Sequence, residues 1–435
     1  MQIDLTKIKH VHFVGIGGIG VSAIARMMLG EGKVVSGQDV SETDIIRDLI
    51  DLGADIVLGQ SIENIPKDAD LIVYTIAIEY YDEVFFSKLK SLDIKSLSYP
   101  QMLGEISKGQ YTIAVTGTHG KTTTTGMISQ VFRDLDRDPT VVIGSLLADG
   151  TNFVHGKSGI FIAESCEYRR SFLNMNPKIL VITNIEEDHL DYYKDIEDIK
   201  SAFRELAMKV PEDGFVVCNP NDKNISDVIV DLKATIVDYQ DFYDNDLKLK
   251  IPGIHNKKNA AAAIAVATIL DISEDEAKNA VINFAGTWRR FQYKGKLDSG
   301  AVIYDDYAHH PTEIMASLQG FRELYPESEG YRLTVVFQPH LYSRTKSLLS
   351  DFANSFVQAD NVLLLPIYAA REIDDGTISS KILSIEVNKH KNNSASFLDF
   401  DSAYDTVSMM GLHDKDIIVT MGAGDAWNIG DRLLA

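Results

Sequence analysis

Cysteine is nearly absent from this sequence, with only Cys166 and Cys218 in 435 residues. Two thiols so far apart exclude a disulfide framework and a cysteine-ligated zinc site, and they fit a reducing compartment, so a cytoplasmic location is expected. Long apolar runs are lacking too. The amino-terminal stretch MQIDLTKIKHVHFVG has no apolar core of signal-peptide length. The longest apolar stretch, around Ala260–Leu270, is short, alanine-rich and preceded by Lys257-Lys258, and reads as a buried helix; no membrane insertion is expected. Positive charge is in deficit, with 42 Lys and Arg against 63 Asp and Glu and a formal net charge of −21. No nucleic-acid partner is expected of such a chain. An anionic nucleotide substrate would need local positive clusters or a metal ion.

What is present is an ordinary globular composition, 45% hydrophobic and 24% charged, at a length that suits two or three domains. No fixed-period repeat is visible. Three α/β patterns follow one another. The first opens with a strand at His10–Val14, a glycine turn, a helix over Val21–Gly30 and a strand ending near Asp39, and Tyr99-Pro100 reads as a linker after it. The second has strands at Tyr111–Thr116, Gly159–Ala163, Lys178–Thr183 and Gly214–Asn219, with a helix at Asn259–Leu270. The third has strands at Ala301–Asp306, Leu333–Gln338, Val362–Pro366 and Ile417–Met421, separated by helices Pro311–Glu323 and Lys346–Val357. This alternation predicts an α/β protein of three parallel, doubly wound sheets over 1–100, 101–290 and 291–435; the motifs below and the resemblance they carry imply that the first and last are Rossmann-like and the central one a P-loop-type ATPase domain.

The most specific motif is Thr116-Gly117-Thr118-His119-Gly120-Lys121-Thr122-Thr123, fed by an apolar strand and followed by a helix pattern. Backbone N–H groups and the helix amino end can cradle phosphate oxygens, Lys121 can neutralise the terminal phosphates, and Thr122 can offer its hydroxyl to Mg²⁺. Val115 stands where the common phosphate-loop pattern has its first glycine. Glu164 ends the next predicted strand, and Asn184-Ile185-Glu186-Glu187-Asp188-His189 follows another. In a parallel sheet these strand ends share one crevice, so Glu164 and His189 are candidate ligands of Mg²⁺ beside Thr122. On chemistry alone His189 is equally a capping residue, because imidazole is an unusual Mg²⁺ ligand. Gly15-Ile16-Gly17-Gly18-Ile19-Gly20 reads G-x-G-x-x-G after a strand, with Asp39 at the end of the next strand where a ribose-binding acid sits.

The set Gly-Thr-His-Gly-Lys-Thr-Thr, Thr-Asn-Ile-x-x-Asp-His and His255-Asn256-x-x-Asn259-Ala260-x-x-Ala263 resembles the Mur ligase family across essentially the whole chain. The resemblance implies domains for a UDP-sugar, for ATP and for an incoming amino acid. It places Asn256 and Asn259 near the adenine, the diphosphate of the UDP-sugar at Gly17, Gly18 and Ile19, and Arg290 of Trp288-Arg289-Arg290-Phe291 near the phosphates. Read without the family, Asn256 and Asn259 cap a helix start, and the double arginine is a charged linker. Two further segments, Asp305–Glu313 and Phe337–Thr345, resemble the alanine-adding branch. There Asp306 is expected at the ATP ribose and Tyr307 at a small alanine pocket, with His309 and Arg344 at the amino-acid carboxylate. His309 is also the candidate proton acceptor. Leu341 replaces an arginine common in the branch, and Ala202-Phe203-Arg204 stands where later-acting relatives carry a carbamylated lysine.

The implied activity is ATP-dependent, ADP-forming ligation of L-alanine to the lactyl carboxylate of UDP-N-acetylmuramate through an acyl phosphate, using two Mg²⁺ ions. Lys121, His189, Arg290 and His309 are its catalytic candidates. Cys166, beside Glu164, has no part in that chemistry and reads as a buried structural thiol. The rivals are a ligase that returns a murein peptide to the same sugar nucleotide, an NAD-dependent oxidoreductase suggested by the first glycine cluster, and an ATP-binding regulatory module.

Overall fold

Strand–helix alternation builds three sheets in this computed structural model, which describes residues 3–370, 372–390 and 394–435. The first comprises β1 (His10–Val14), β2 (Val34–Asp39), β3 (Asp55–Leu58), β4 (Leu71–Tyr74) and β5 (Lys95–Ser98), all parallel in the order β3-β2-β1-β4-β5. Its strand β4 is buried on both faces, hence the continuous apolar run Leu71–Tyr74, while β1 carries the buried His12 between Val11 and Phe13. The following helix begins at Ile19, two residues before the expected start. Gly20 lies inside it because a Cβ there would come within 2.6 Å of the Tyr99 ring. Tyr99-Pro100 is not a linker. It opens the helix Tyr99–Ser107, whose first turn tolerates Pro100, and the Ser98 N–H donates to Gln101 Oε1 at 2.9 Å.

The second sheet comprises β6 (Tyr111–Thr116), β7 (Thr140–Val142), β8 (Phe153–Val154), β9 (Ile160–Glu164), β10 (Ile179–Ile182), β11 (Phe215–Cys218) and β12 (Thr235–Asp238). Its order is β12-β11-β10-β6-β9-β7-β8, parallel except for the edge strand β8. β6 therefore lies between β10 and β9, where the strand order reverses and a crevice opens at the carboxyl ends.

The third comprises β13 (Gln292–Lys296), β14 (Val302–Asp306), β15 (Arg332–Phe337), β16 (Asn361–Leu364), β17 (Ala395–Phe397) and β18 (Asp416–Met421), in the order β13-β14-β18-β15-β16-β17. Only β13 is antiparallel to its neighbour. The expected helix Lys346–Val357 is two pieces, Tyr342–Ser347 and Leu349–Ser355, broken where Leu348 leaves helical geometry.

By packing, the chain forms two units. One holds 1–243 and 258–281, with a continuous apolar core under the first two sheets; the other holds 244–257 and 282–435. The chain passes from one to the other within the helix Ile254–Ile269. That helix starts five residues before the expected Asn259, because Gly253, at φ +104°, turns the chain and its carbonyl accepts from the Asn256 and Lys257 N–H groups. Asn256 and Asn259 are thus helix-interior residues and not caps. Among the described residues no helix is long and apolar enough to cross a membrane.

Candidate functional site

The loop between β6 and the helix Lys121–Asp134 is shaped by two glycines in left-handed backbone. Gly117 has φ +136° and a Cβ there would meet Thr183 Oγ1 at 2.0 Å; Gly120 has φ +83° and a Cβ would meet Asn259 Oδ1 at 2.5 Å. No other residue type fits both, and the second contact brings Asn259 against the loop. The loop is pinned from β10's end. Asn184 Oδ1 accepts the His119 N–H at 2.9 Å, and Thr183 and Asn184 both donate to the His119 carbonyl. Thr118 exchanges hydrogen bonds with Glu186 through its hydroxyl.

Lys121 Nζ donates to the carbonyls of Gly117 and Thr118 at 2.6 and 3.0 Å and to Glu167 Oε1 at 3.0 Å. Burial opposes its charge, but the Glu167 carboxylate, with smaller contributions from Cys166 and Glu164, outweighs it and raises the pKa. Lys121 is therefore a cation at neutral pH. Thr122 Oγ1 donates to Glu164 Oε1 at 3.0 Å, and Glu164 Oε2 accepts the Gly144 N–H at 2.9 Å. These hard oxygens at the helix amino end fit Mg²⁺. His189, at φ +54°, has Nε2 3.7 Å from Glu167 Oε1 and its ring against Tyr168 at 4.7 Å. So Gly117–Thr123, Glu164, His189 and Asn259 form one cluster.

Sequence reasoning missed Glu167. It is 3% exposed, pairs with Lys121, and lies near His189, while its backbone carbonyl accepts from the Tyr193 hydroxyl. The signal available was its place three residues beyond Glu164 at a strand end. Cys166 proves exposed rather than buried, although its neighbours Ser165 and Glu167 are buried.

In the amino-terminal glycine loop the structure narrows the expected anion site. The Gly17 N–H is already donated to Asp39 Oδ2 at 2.9 Å, and the Gly18 N–H to the Gly15 carbonyl at 3.1 Å. Asp39 thus braces the loop, and the first turn of the helix that starts at Ile19 has no side-chain cap.

The second unit gathers the rest of the expected residues. In Trp288–Phe291, Arg289 and Phe291 have φ +58° and +51° and are buried, while Arg290 between them is part-exposed. Arg289 donates to Asp305 at 2.7 Å and to the carbonyls of Gly424 and Gly422 at 2.9 and 2.6 Å. It is the structural member of the pair, a distinction that sequence alone did not draw. Arg290 lies over the Tyr307 ring at 4.9 Å and 3.8 Å from Glu313.

Asp306 differs from expectation. Its buried carboxylate accepts from the Phe291 and Ala308 N–H groups and the Ser317 hydroxyl at 3.0, 2.7 and 3.0 Å, which leaves a ribose little to bind. Burial raises its pKa to about 6, against the opposing charge of Arg290. Asn256 is likewise committed, donating to the Pro252 carbonyl at 2.7 Å.

His310 caps the helix Pro311–Leu324, with Glu313 accepting the N–H groups of His309 and His310. His309 is the outward member of the pair. Its Nδ1 lies 3.0 Å from the Tyr307 carbonyl, which favours the tautomer with the proton on Nδ1 and a basic Nε2. Its ring meets Tyr307 at 5.2 Å and His340 at 5.7 Å, and Arg344 reaches His340 Nδ1 at 3.2 Å. Arg290, Tyr307, His309 and Arg344 therefore belong to one neighbourhood. Leu341, beside it, is strained at φ +69°.

Comparison with known proteins matches three successive profiles: the Mur ligase family catalytic domain over residues 10–111, the Mur ligase middle domain over 115–242, and the Mur ligase glutamate ligase domain over 289–424. The chain is 41% identical to the UDP-N-acetylmuramate–L-alanine ligases of Clostridium kluyveri, with 100% of both chains covered, and of Caldanaerobacter subterraneus, with 100% of this chain and 99% of that one. Among solved structures it is similar to the UDP-N-acetylmuramate-alanine ligase of Thermotoga maritima, with TM-score 0.78, 27% identity and 98% of each chain covered. A murein peptide ligase from Psychrobacter arcticus shares the fold at TM-score 0.71, 23% identity and 98% coverage of each chain.

Proposed function

Since the chain belongs to the Mur ligase family, we propose on that footing that it joins L-alanine to the lactyl carboxylate of UDP-N-acetylmuramate while ATP is cleaved to ADP and phosphate. In this reading residues 1–100 serve the UDP-sugar, 101–290 ATP, and 291–435 the amino acid. The observation that carries it is the Lys121–Thr122–Glu164 arrangement: a part-buried cation, a hydroxyl and a carboxylate at the amino end of a helix, on a loop that only glycine can form.

A carboxylate resists an amine because oxide is a poor leaving group. Its attack on the γ-phosphorus of ATP forms an O–P bond, breaks the bond to the β-phosphate oxygen and releases ADP. Lys121 and the helix amino end hold the phosphates and offset the charge that moves during transfer, with Arg290 as the second cation. Thr122 and Glu164 supply oxygen donors for Mg²⁺, with His189 as a donor to a second ion; bound Mg²⁺ neutralises phosphate charge. The alanine amine then attacks the acyl carbon, the amide C–N bond forms, and phosphate leaves. Arg344 holds the amino-acid carboxylate, Tyr307 bounds the small side chain, and His309 Nε2 takes the proton that the ammonium must lose.

Isotope transfer tests the intermediate. With ¹⁸O in the lactyl carboxylate, one ¹⁸O is expected in the released phosphate. Unlabelled phosphate alongside amide product would exclude the acyl phosphate.

A further inference from the structure

Between the first turn of the helix that starts at Ile19 and the end of β9 lies a cavity of about 240 Å³ within the first unit. Its walls are mostly apolar, with Tyr99, Leu103, Phe172 and Met175 facing Ile19, and Glu164 stands among its lining. Ser165 also lines it. That residue is 1% exposed, and among the described residues its hydroxyl has no hydrogen-bond partner. A hydroxyl kept buried and unsatisfied is costly, so one at the wall of a cavity points to a ligand group that completes it. A cavity of roughly 150 Å³ can hold a benzene ring, so this one has room for a substituted sugar ring.

The chemistry of the lining selects the ligand group. The mostly apolar walls disfavour any charged occupant, so the lactyl carboxylate and the diphosphate both belong outside the cavity. A neutral group with one hydrogen-bonding end and one methyl end satisfies the hydroxyl and the walls together. On the function proposed above, the sugar nucleotide has its diphosphate at the Ile19 turn and its carboxylate near Glu164. The hexose between them must then pass this cavity. We propose that Ser165 and the cavity recognise the N-acetyl group of the sugar, the Ser165 hydroxyl bonding the acetamide and the aromatic and aliphatic walls holding its methyl. This makes Ser165 a specificity-determining residue, and it rests on the proposed placement of the sugar nucleotide.

The test crosses Ser165→Ala with two substrates, UDP-N-acetylmuramate and its N-deacetylated counterpart, in ADP-release assays. Ser165→Ala is expected to lower kcat/KM for the acetylated substrate about five- to tenfold, the scale of one neutral hydrogen bond, with the deacetylated substrate and the KM for ATP unmoved. Its unliganded Tm should equal or exceed that of the parent, because an unsatisfied hydroxyl has been removed. Equal losses on both substrates, or no loss on the acetylated one, would overturn the assignment while leaving the ligase reading intact. Absence of ADP from the parent enzyme with UDP-N-acetylmuramate and L-alanine would overturn both.

Discussion

Replacing Gly120 by alanine probes the phosphate loop through a contact whose two parts can be separated. Gly120 has φ +83°, and left-handed backbone costs a Cβ-bearing residue about 1–2 kcal/mol. The added Cβ would also lie 2.5 Å from Asn259 Oδ1 and 3.3 Å from its Cγ, an overpacking worth about 1–3 kcal/mol. The sum, about 2–5 kcal/mol, should lower Tm by about 5–15 °C in a unit of this size and raise the KM for ATP at least about tenfold as the loop shifts. Asn259→Ala removes the obstacle but not the backbone cost. Gly120→Ala in that background should therefore cost only about 1–2 kcal/mol, a coupling of about 1–3 kcal/mol between the two sites. Thermal unfolding of the four proteins measures it. Additive effects, or a Gly120→Ala protein with parental Tm and parental KM for ATP, would refute the reasoning.

Three other outcomes are expected. Glu164→Gln removes the carboxylate that Thr122 contacts, so half-activation should need about tenfold more Mg²⁺ or above, with the circular dichroism spectrum unchanged; an unshifted Mg²⁺ titration counts against the metal site. Arg289→Met leaves Asp305 buried without its partner and should cost the second unit about 3–5 kcal/mol, where a loss under about 1 kcal/mol would show the pair to be dispensable. His12 is depressed from 6.5 to about 4 by burial and by the nearby charge of His10. Its contribution is present above pH 6.5 and is lost as pH falls towards 4, at most about 3 kcal/mol, so a His12→Gln protein should show a shallower acid slope in denaturant titrations between those values, and a parallel slope would remove this assignment.

The alternation of apolar-rich strands and glycine turns sufficed to place β1, β6, β10 and β14 within a residue or so, because buried parallel strands are rich in apolar residues and end at turn signals. The turn through Gly117 and Gly120 into the helix at Lys121 was legible for a related reason: left-handed backbone at two close positions calls for glycine. What stayed hidden depends on partners distant in sequence. Nothing local says that Asp39 takes the Gly17 N–H, that Asp306 is saturated by Phe291, Ala308 and Ser317, or that Arg289 rather than Arg290 is the buried brace. Tyr99-Pro100 misled because proline marks a loop and a first helical turn equally well, and only the Ser98–Gln101 hydrogen bond decides between them. Glu167 was passed over because its meaning lies in Lys121, 46 positions earlier.

ADP release with Mg-ATP, UDP-N-acetylmuramate and a panel of L-alanine, glycine, L-serine and a murein tripeptide, each with omission controls, tests the central claim most directly. The account predicts ADP only when the sugar nucleotide and L-alanine are both present. Vigorous release with the tripeptide and little with L-alanine would contradict the substrate, and no release with any acceptor would contradict the chemistry itself.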